Sequence, residues 1–373
     1  MDRSLGIYLH IPFCLRKCNY CDFCSFPKRE EDMSLYVSEL CRRLEAYAKD
    51  ASDHTVDTIY FGGGTPTLLP IELFEKIFES IWKKYHIAKN VEVSCECNPA
   101  SCTAEYISSL HVLGFNRMSI GLQSTSDEEL RILGRAHSYS DFLSTFEAAR
   151  RAGFSNISAD LMYALPSQSI SSFKRSLEEL TSLCPEHISA YGLKIEEGTP
   201  FFEKVDSLSL PDEEEQAEMY LLLSSFLHDR GYEKYEISNF SHKGMESKHN
   251  LKYWSGEEYL GFGVAAHSFF GGERFGNSRD MEGFLAGKDI VAERYRSSET
   301  EQRDEYVMLS LRLAKGLDLG DFKSRFGVDF LSEHPNVRSY IDGDFMSMTD
   351  GRIKFTDKGF FVSNYILSEL IDA

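Results

Sequence analysis

The chain has 373 residues, of which 42% are hydrophobic, 13% aromatic and 27% charged, a composition typical of a globular protein and unlike that of a disordered or collagen-like chain. Asp and Glu number 59 against 40 Lys and Arg, so the formal net charge is −19. This acidity excludes a general nucleic-acid binder, whose surface must be basic to neutralise phosphates.

The first residues, MDRSLGIYLHIPFC, do not resemble a secretory signal, because the apolar run is short and is interrupted by His10 and Pro12. No window approaches the roughly 18 uninterrupted apolar residues of a membrane span. We therefore expect a cytoplasmic protein in a reducing compartment, where the 9 cysteines do not form a disulfide framework.

Residues 1–207 alternate between strand-like and helix-like segments. The predicted strands are 7–11, 58–61, 91–96, 117–121, 157–162 and 188–193. The predicted amphipathic helices are 33–48, 71–85, 103–113, 141–152 and 171–183, and Gly114 and Gly153 follow two of them at the position of a C-terminal cap. This alternation predicts an α/β fold of parallel strands with crossover helices, and six units fit a partial (β/α)6 barrel better than a closed eightfold barrel.

The pattern changes near residue 208. Pro211 and the four acidic residues after it predict a helix start, because negative charge suits the positive end of the helix dipole. Residues 235–290 are rich in Gly, Asn, Ser, His and aromatic residues, and we expect a loop-rich insert there. Residues 301–373 show helical patterning and then short strand-like runs, which predicts a small C-terminal α+β module. The predicted domains are therefore 1–207, 208–295 and 296–373.

A cluster of cysteines stands near the N-terminus, at Cys14, Cys18, Cys21 and Cys24. Clustered cysteines in a reducing compartment indicate metal or redox chemistry. The C-x3-C-x2-C spacing of the first three suits one cubane iron–sulfur cluster with one iron open to a small ligand. Structural zinc, a two-cluster ferredoxin and cysteines that are merely buried are the alternatives; zinc sites usually take paired C-x2-C halves, and the second cysteine set of such a ferredoxin is missing.

A glycine-rich segment, FGGGTPT at 61–67, follows the second predicted strand. Its glycines allow the backbone to approach a ligand closely, although the lysine and the glycine spacing of phosphate-binding loops are absent and a plain tight turn is the simpler alternative. Polar residues also end or interrupt later strands, at Glu96, Gln123 and Asp160, and Arg135 follows a short helix. In barrel folds the ends of strands carry function, so we expect a polar ligand there, with Arg135 placed to pair with a carboxylate.

The opening motif Tyr8-x-His10-Ile11-Pro12-Phe13-Cys14-x3-Cys18-x-Tyr20-Cys21 resembles that of radical S-adenosylmethionine (SAM) enzymes. More narrowly, it resembles the group of oxygen-independent coproporphyrinogen III oxidases and HemW-type heme chaperones. The resemblance implies a [4Fe–4S] cluster held by Cys14, Cys18 and Cys21, with SAM chelated at the remaining iron. It also implies that SAM is bound by Tyr8, Tyr20, Gly63, Gly64, Thr65, Glu96, Gln123, Arg135 and Asp160.

One segment departs from the family pattern. Where DLxxGLPGQ is expected, the chain reads DLMYALPSQ, so Ala164 and Ser167 stand in place of glycines. Both residues are small, and we expect a modest adjustment of this loop.

Two features favour the chaperones over the oxidases. The oxidases are expected to carry a further cysteine where this chain has Phe23, and an N-terminal extension for which there is no room before Cys14. The segment from His249 to Trp254 matches the H-N-x-x-Y-W signature of the chaperones. An imidazole can ligate heme iron and a tryptophan can stack on a porphyrin; alternatively these residues only pack the insert onto the barrel. The heme candidates are His249, Asn250, Tyr253, Trp254 and, more weakly, His267.

The main hypothesis is a cytoplasmic heme chaperone that binds a [4Fe–4S] cluster, SAM and heme and passes the heme to acceptor hemoproteins, without necessarily running radical chemistry. The resemblance implies that it forms a homodimer, and we expect neither a nucleic-acid partner nor a membrane span. The alternative is an oxygen-independent coproporphyrinogen III oxidase, which forms protoporphyrinogen IX by radical decarboxylation. A structural zinc protein with an inert barrel is a third interpretation.

Overall fold

The fold is built on one large sheet with helices packed against it. The computed structural model describes residues 3–371, apart from the side chain of residue 100. The strands are β1 (Arg3–Ile11), β2 (Phe13–Cys14), β3 (Phe26–Pro27), β4 (His54–Gly63), β5 (His86–Cys97), β6 (Arg117–Gln123), β7 (Ile157–Tyr163), β8 (His187–Gly192), β9 (Glu233–Lys234), β10 (Asn239–Ser241), β11 (Tyr259–Phe262), β12 (His267–Phe270), β13 (Glu273–Asn277), β14 (Val291–Tyr295), β15 (Leu317–Asp318), β16 (Met346–Thr349) and β17 (Arg352–Phe355).

The helices alternate with the strands in the first half of the chain. They are α1 (Met33–Tyr47), α2 (Ile71–Lys84), α3 (Ala104–Leu113), α4 (Asp127–Ile132), α5 (Tyr139–Ala152), α6 (Ile170–Ser182), α7 (Glu213–His228), α8 (Lys248–Ser255), α9 (Met281–Leu285), α10 (Glu299–Arg312), α11 (Leu319–Phe326), α12 (Phe330–Glu333), α13 (Val337–Asp342), α14 (Asp357–Phe361) and α15 (Ser363–Leu370). Over the range 3–371, none of them has the length and apolar character of a membrane-crossing helix.

The centre of the sheet is formed by the predicted strands. β1, β4, β5, β6, β7 and β8 lie side by side in that order, and each neighbouring pair is parallel. The helices α1, α2, α3, α5 and α6 correspond to the predicted crossover helices, and Gly114 and Gly153 cap α3 and α5 in the left-handed conformation. The predicted α/β architecture with six parallel units is therefore confirmed, although β4 and β5 begin earlier than predicted.

Burial follows the predicted helical periodicity. On α2, which was predicted to be amphipathic, the five apolar residues that recur with helical spacing are all buried: Leu73, Phe74, Ile77, Phe78 and Ile81. Phe74 and Phe78 pack with Phe61 of β4 and with Phe115, at ring-centroid distances of 5.1 to 5.9 Å. This aromatic layer fixes α2 against the strand that leads into the glycine-rich segment.

The prediction of a loop-rich insert at 235–290 was wrong in one respect, because much of this region extends the central sheet. β11 pairs in parallel with β1, and β12, β13 and β14 continue outward as antiparallel strands. β10 pairs antiparallel with β8 at the other side. These strands are short and carry many Gly and polar residues, so their sequences alone favoured loops. Pairing stabilises them: β11 pairs with β1 from the start of the chain, β10 with β8, and β12 to β14 with one another.

The C-terminal part has helices around a small sheet. β15, β17 and β16 form a three-stranded antiparallel sheet, and Asp350 and Gly351 make the turn between β16 and β17 with positive φ angles of 50° and 71°. The predicted start of α7 is also present, since the Asp212 side chain accepts a hydrogen bond from Glu215 N while Glu215 accepts one from Asp212 N.

The loop after β7 keeps the backbone that glycine favours. Ala164 and Ser167 have φ angles of 58° and 63°. Gln168 N donates to Leu165 O at 3.0 Å, so Pro166 and Ser167 occupy the centre of a four-residue turn whose third position requires positive φ. The loop therefore keeps a left-handed backbone at Ala164 and Ser167, although both residues carry a Cβ atom where the family pattern has glycine.

Replacing Ser167 by glycine should stabilise the protein. Ser167 is exposed, so the change removes the left-handed strain of a residue with a Cβ atom without opening a cavity. After the larger entropy of glycine in the unfolded chain is subtracted, we expect the free energy of unfolding to rise by about 0.5–1 kcal/mol. Anaerobic urea denaturation measures the change. A decrease in the midpoint would contradict this description of the turn.

Candidate functional site

A cavity of about 440 Å³ lies where the central parallel strands end. The cysteine loop, the glycine-rich segment and the carboxyl ends of β5 to β8 contribute to its wall. The residues predicted from sequence that line it are Cys14, Cys18, Cys21, Tyr20, Gly63, Gly64, Thr65, Glu96, Gln123, Arg135 and Asp160. Residues from six parts of the first 200 positions thus meet in one place.

The cysteine loop is fixed by its backbone to neighbouring elements. Asn19 N donates to Leu133 O at 2.9 Å, and Asn19 O accepts from Phe201 N at 2.9 Å. The Asn19 amide also donates to Ile132 O at 2.8 Å, at the end of α4. These bonds hold the loop from both sides, so the three thiols face the cavity from defined positions.

The three thiols suit a cubane cluster. Cys14, Cys18 and Cys21 are free thiols, and all three line the cavity. Burial raises the pKa of Cys14 and raises that of Cys21 to about 11, so a positive metal group is needed to hold them as thiolates. Within residues 3–371 no set of three His, Cys, Asp or Glu side chains has the geometry of a single-ion site. A cubane has different needs, because each of its protein ligands binds a different iron atom.

Cys24 does not line the cavity, although it follows Cys21 closely. It is 7% exposed, and its carbonyl oxygen hydrogen-bonds His10 Nε2 at 2.8 Å. Cys24 is therefore a packing residue of the loop and not part of the cavity wall.

The glycine-rich segment passes against the cysteine loop at a distance that only glycine permits. A Cβ atom on Gly64 would lie 2.6 Å from Phe13 O and 3.1 Å from Cys14 Sγ. A Cβ on Gly63, whose φ is 114°, would lie 2.6 Å from the His10 ring. Thr65 Oγ1 is 3.6 Å from Cys14 Sγ. The glycines therefore allow this segment to form the cavity wall directly beside the first cysteine.

Two carboxylates face the cavity from β5 and β7, the strands on either side of β6. Glu96 accepts hydrogen bonds from Tyr60 Oη and from Gly63 N, both at 3.0 Å. Asp160 accepts from Ser119 Oγ at 3.0 Å. Burial, followed by the charge of Asp160, raises the pKa of Glu96 to about 7, and burial raises the pKa of Asp160. This pair of acidic groups is suited to receive a cationic group such as an ammonium.

Arg117 is a site residue that the sequence reasoning missed. It begins β6, is 2% exposed and lines the cavity. Its charge acts on Glu92, Tyr60 and Asp160, and its buried Nε has no hydrogen-bond partner among the described residues. Tyr60, Ser119, Ser189 and Tyr191 also line the cavity without having been predicted. The one signal in the sequence was an arginine inside an apolar strand.

Arg135 is positioned to hold an anion beside the cluster loop. Its Nη1 donates to Cys18 Sγ at 3.6 Å and its Nη2 to Gly121 O at 3.0 Å. The buried Nε has no partner in the described part of the chain. None of these contacts of Arg135 is with a carboxylate of the described residues. The guanidinium therefore keeps a hydrogen-bond donor for the carboxylate of a ligand.

Tyr8 lies outside the cavity lining, in contrast to the other predicted SAM residues. Its hydroxyl is 3.0 Å from His10 Nδ1. Its ring stacks on Tyr60 and on His249, at centroid distances of 6.2 and 6.3 Å. Tyr8 thus supports the residues that line the cavity and does not reach into it.

The H-N-x-x-Y-W segment lies within α8, and α8 packs against the wall of the cavity. Glu92 accepts hydrogen bonds from Lys248 N and His249 N at 3.2 and 3.3 Å, which anchors the start of the helix to β5. Asn250 lines the cavity, and the His249 ring stacks under Tyr60 at 5.2 Å. The motif therefore borders the predicted SAM site, since Asn250 lines the cavity and His249 packs against Tyr60 of its wall.

His249 is not an open ligand in this structure. It is 1% exposed, and its two ring nitrogens lie 2.8 Å from Thr58 Oγ1 and 2.8 Å from Tyr253 Oη. Burial lowers its pKa to about 3. Trp254 is partly buried. His249 stays a heme candidate predicted from the sequence. In this structure one of its nitrogens is occupied by Thr58, 191 positions away, and the other by Tyr253 on the next turn of α8.

His267 is accessible. Its side chain is 64% exposed, with Nδ1 3.7 Å from Glu293. It begins β12 and pairs in register with Gly276 of β13. Shortly after β13, Arg279 forms an ion pair with Asp22 of the cysteine loop at 3.3 Å. His267 therefore lies on β12, which β11 separates from β1, the strand before the cysteine loop.

Glu96 makes the stability of the cofactor-free protein depend on pH. Its folded pKa of about 7 lies above the ordinary value of 4.5. The stability associated with the protonated form is present below pH 4.5 and is lost as the pH rises through 7. We expect Glu96→Gln to raise the free energy of unfolding at pH 8 by about 2 kcal/mol and to have little effect at pH 4.5.

Urea denaturation of the cofactor-free protein at the two pH values measures this effect. Glu75→Gln, on the exposed side of α2, is the control and should leave the pH dependence unchanged. Equal pH slopes for wild type and Glu96→Gln would show that the carboxyl group is not held in its protonated form by burial.

The chain is similar to known proteins over its whole length. The model of the radical SAM superfamily matches residues 8–180, and that of the HemN C-terminal domain matches residues 298–362. The heme chaperone HemW of Bacillus subtilis (strain 168) is 34% identical, with 98% of each chain covered. The heme chaperone HemW of Lactococcus lactis is 31% identical over 100% of this chain and 98% of that protein.

The fold has a solved relative. The structure of coproporphyrinogen III oxidase (HemN) from Escherichia coli, described as a radical SAM enzyme, superposes with a TM-score of 0.86 at 21% identity, covering 99% of this chain and 90% of the other. At this identity the match establishes the shared fold.

Proposed function

We infer a heme chaperone from one premise: the chain belongs to the HemW family of radical SAM proteins. Family membership implies a [4Fe–4S] cluster and SAM. The observation that carries the inference is similarity to curated heme chaperones over 98% of both chains. In this proposal the protein binds heme and passes it to acceptor hemoproteins, in the cytoplasm and as a homodimer.

The residues present fit both cofactors. Cys14, Cys18 and Cys21 would each bind one iron of the cluster, which supplies the redox chemistry of the superfamily and an open coordination site for SAM. Glu96, with the neighbouring Gly63 and Gly64, would receive the ammonium of SAM. The unpartnered Nε of Arg135 would donate to its carboxylate, because guanidinium groups bind carboxylates through several donors.

His249 and His267 differ in the structural change that ligation of heme iron would require. Ligation of iron by His249 requires its ring to leave Thr58 and Tyr253, whereas His267 is exposed and needs no such change. We therefore assign iron ligation to His267. We assign to His249 and Tyr253 the positioning of α8, so that Asn250 completes the cavity floor, and to Trp254 apolar contact with the porphyrin.

Anaerobic heme titration, followed at the Soret band, tests this assignment. We expect His267→Ala to weaken heme binding at least tenfold, or by about 1.4 kcal/mol. His86→Ala, which removes another exposed histidine, is the control. No Soret change with wild type would refute the chaperone proposal. Loss of binding in His249→Ala alone, with His267→Ala unaffected, would move iron ligation to His249.

The oxidase alternative has less support. Phe23 occupies the position at which a further cysteine is expected in the oxidases, and its side chain is 70% exposed at the mouth of the cavity. Formation of protoporphyrinogen IX together with 5′-deoxyadenosine under reducing conditions would favour the oxidase.

A further inference from the structure

Two thiols outside the cysteine loop lie in contact. Cys97 ends β5, and Cys102 follows a short turn; their sulfur atoms are 3.3 Å apart. Cys97 is 3% exposed and borders the cavity, whereas Cys102 is partly accessible. The other thiols outside the cysteine loop contact backbone oxygens instead: Cys41 with Lys76, Cys95 with Glu96 and Cys184 with Ser182. The Cys97–Cys102 pair is therefore placed to react internally.

The surroundings of the pair give the two sulfurs different roles. The hydrogen bond with Cys97 lowers the pKa of Cys102, and the same bond together with burial raises the pKa of Cys97. The thiolate is the nucleophilic form of cysteine. Cys102 is thus both the more accessible and the more readily ionised member, and Cys97 lies behind it.

The pair is joined to the cavity wall. Cys97 follows Glu96 directly, and Ser101 Oγ lies 2.6 Å from Thr67 Oγ1 of the glycine-rich segment. A disulfide requires sulfur atoms about 2.05 Å apart, which is closer than the 3.3 Å found here. Bond formation must therefore move at least one of these two side chains, and Cys97 lies in the cavity wall directly beside Glu96.

We propose that Cys97 and Cys102 are a reversible thiol–disulfide modification site that responds to a disulfide oxidant such as oxidised glutathione. The Cys102 thiolate attacks one glutathione sulfur, forms a mixed disulfide and releases one glutathione. Cys97 then loses its proton and attacks the Cys102 sulfur, which releases the second glutathione. The two cysteines together lose two electrons and two protons, and the oxidant becomes two thiols.

Peptide mapping tests the site with a readout that does not depend on cofactor binding. The cluster-reconstituted full-length protein is treated anaerobically with oxidised glutathione, free thiols are blocked and trypsin is added. One expected peptide, residues 90–117, contains Cys95, Cys97 and Cys102. We expect it to carry one blocking group, on Cys95, and to have lost two hydrogen atoms, with the link assigned to 97–102 by fragmentation.

Two variants sharpen the result. Cys97→Ser should trap a glutathione adduct on Cys102, because the resolving thiol is gone. Cys95→Ser, on the same strand and fully buried, is the matched control and should still form the link. Blocking groups on both Cys97 and Cys102 of the oxidised wild type, or a link through Cys95, would overturn the proposal.

The expected effect of oxidation on the cavity rests on the proposed function, and SAM affinity is its separate readout. We expect oxidation to weaken SAM binding at least threefold in wild type, reversibly with a thiol reductant. Cys102→Ser lacks the attacking thiol, so its SAM binding should show no reversible change. Unchanged SAM affinity in protein whose peptide map shows the link would remove the coupling to the cavity.

Discussion

Serine in place of Cys14, Cys18 or Cys21 should reduce the iron content after anaerobic reconstitution from about four atoms per chain to nearly none. In the proposed ligand set each thiolate holds a different iron, and a neutral hydroxyl does not replace it. Iron and sulfide analysis, together with the visible absorbance of the cluster, measures the loss. SAM binding should disappear with the iron, because SAM is proposed to bind at the open iron.

The chain offers a matched control for these variants. Cys24 belongs to the same loop but hydrogen-bonds through its carbonyl oxygen to His10 and lies outside the cavity lining. Cys24→Ala should therefore keep full iron content. Iron loss in Cys24→Ala equal to that in Cys14→Ser would mean that the ligand set differs from the one assigned here.

Substitution of Arg135 by glutamine should weaken SAM binding by roughly 10- to 100-fold, because a hydrogen-bonded contact between a guanidinium and a carboxylate contributes about 1.5–3 kcal/mol. The contact with Cys18 places this guanidinium beside the cysteine loop, and its Nε has no partner among the residues that the structure describes. Equilibrium SAM titration, normalised to cluster content, separates a weaker SAM contact from a poorer cluster.

Arg131→Gln is the control for charge alone. Arg131 is exposed on α4, one turn before Arg135, and its loss should leave SAM affinity unchanged. If Arg135→Gln bound SAM as tightly as wild type at equal cluster content, the carboxylate of SAM would have to be held by another group, for which Arg117 is the buried cation in the same cavity.

Much of the site was predictable because it depends on local patterns. The cysteine spacing, the run of glycines and the polar residues at strand ends are each contained in a few consecutive residues. Once the strands are parallel, their carboxyl ends must share one edge of the sheet, so Glu96, Gln123 and Asp160 are brought to the same cavity as the cysteines.

The parts that could not be predicted depend on packing between distant segments. Arg117 is tolerated inside β6 because Glu92 and Asp160 lie near it, and no local pattern reveals those partners. His249 appears available in the sequence, yet Thr58, 191 positions away, occupies one of its nitrogens. The strands β11 to β14 likewise owe their existence to pairing with β1 and with one another.

The most direct test of the whole account is EPR of the anaerobically reconstituted, chemically reduced wild-type protein, recorded before and after SAM is added. The account predicts the signal of a reduced [4Fe–4S] cluster, present at close to one per chain, and a change in that signal when SAM binds at the open iron. A protein that takes up zinc in place of iron, or a cluster signal that SAM leaves unchanged, would contradict it.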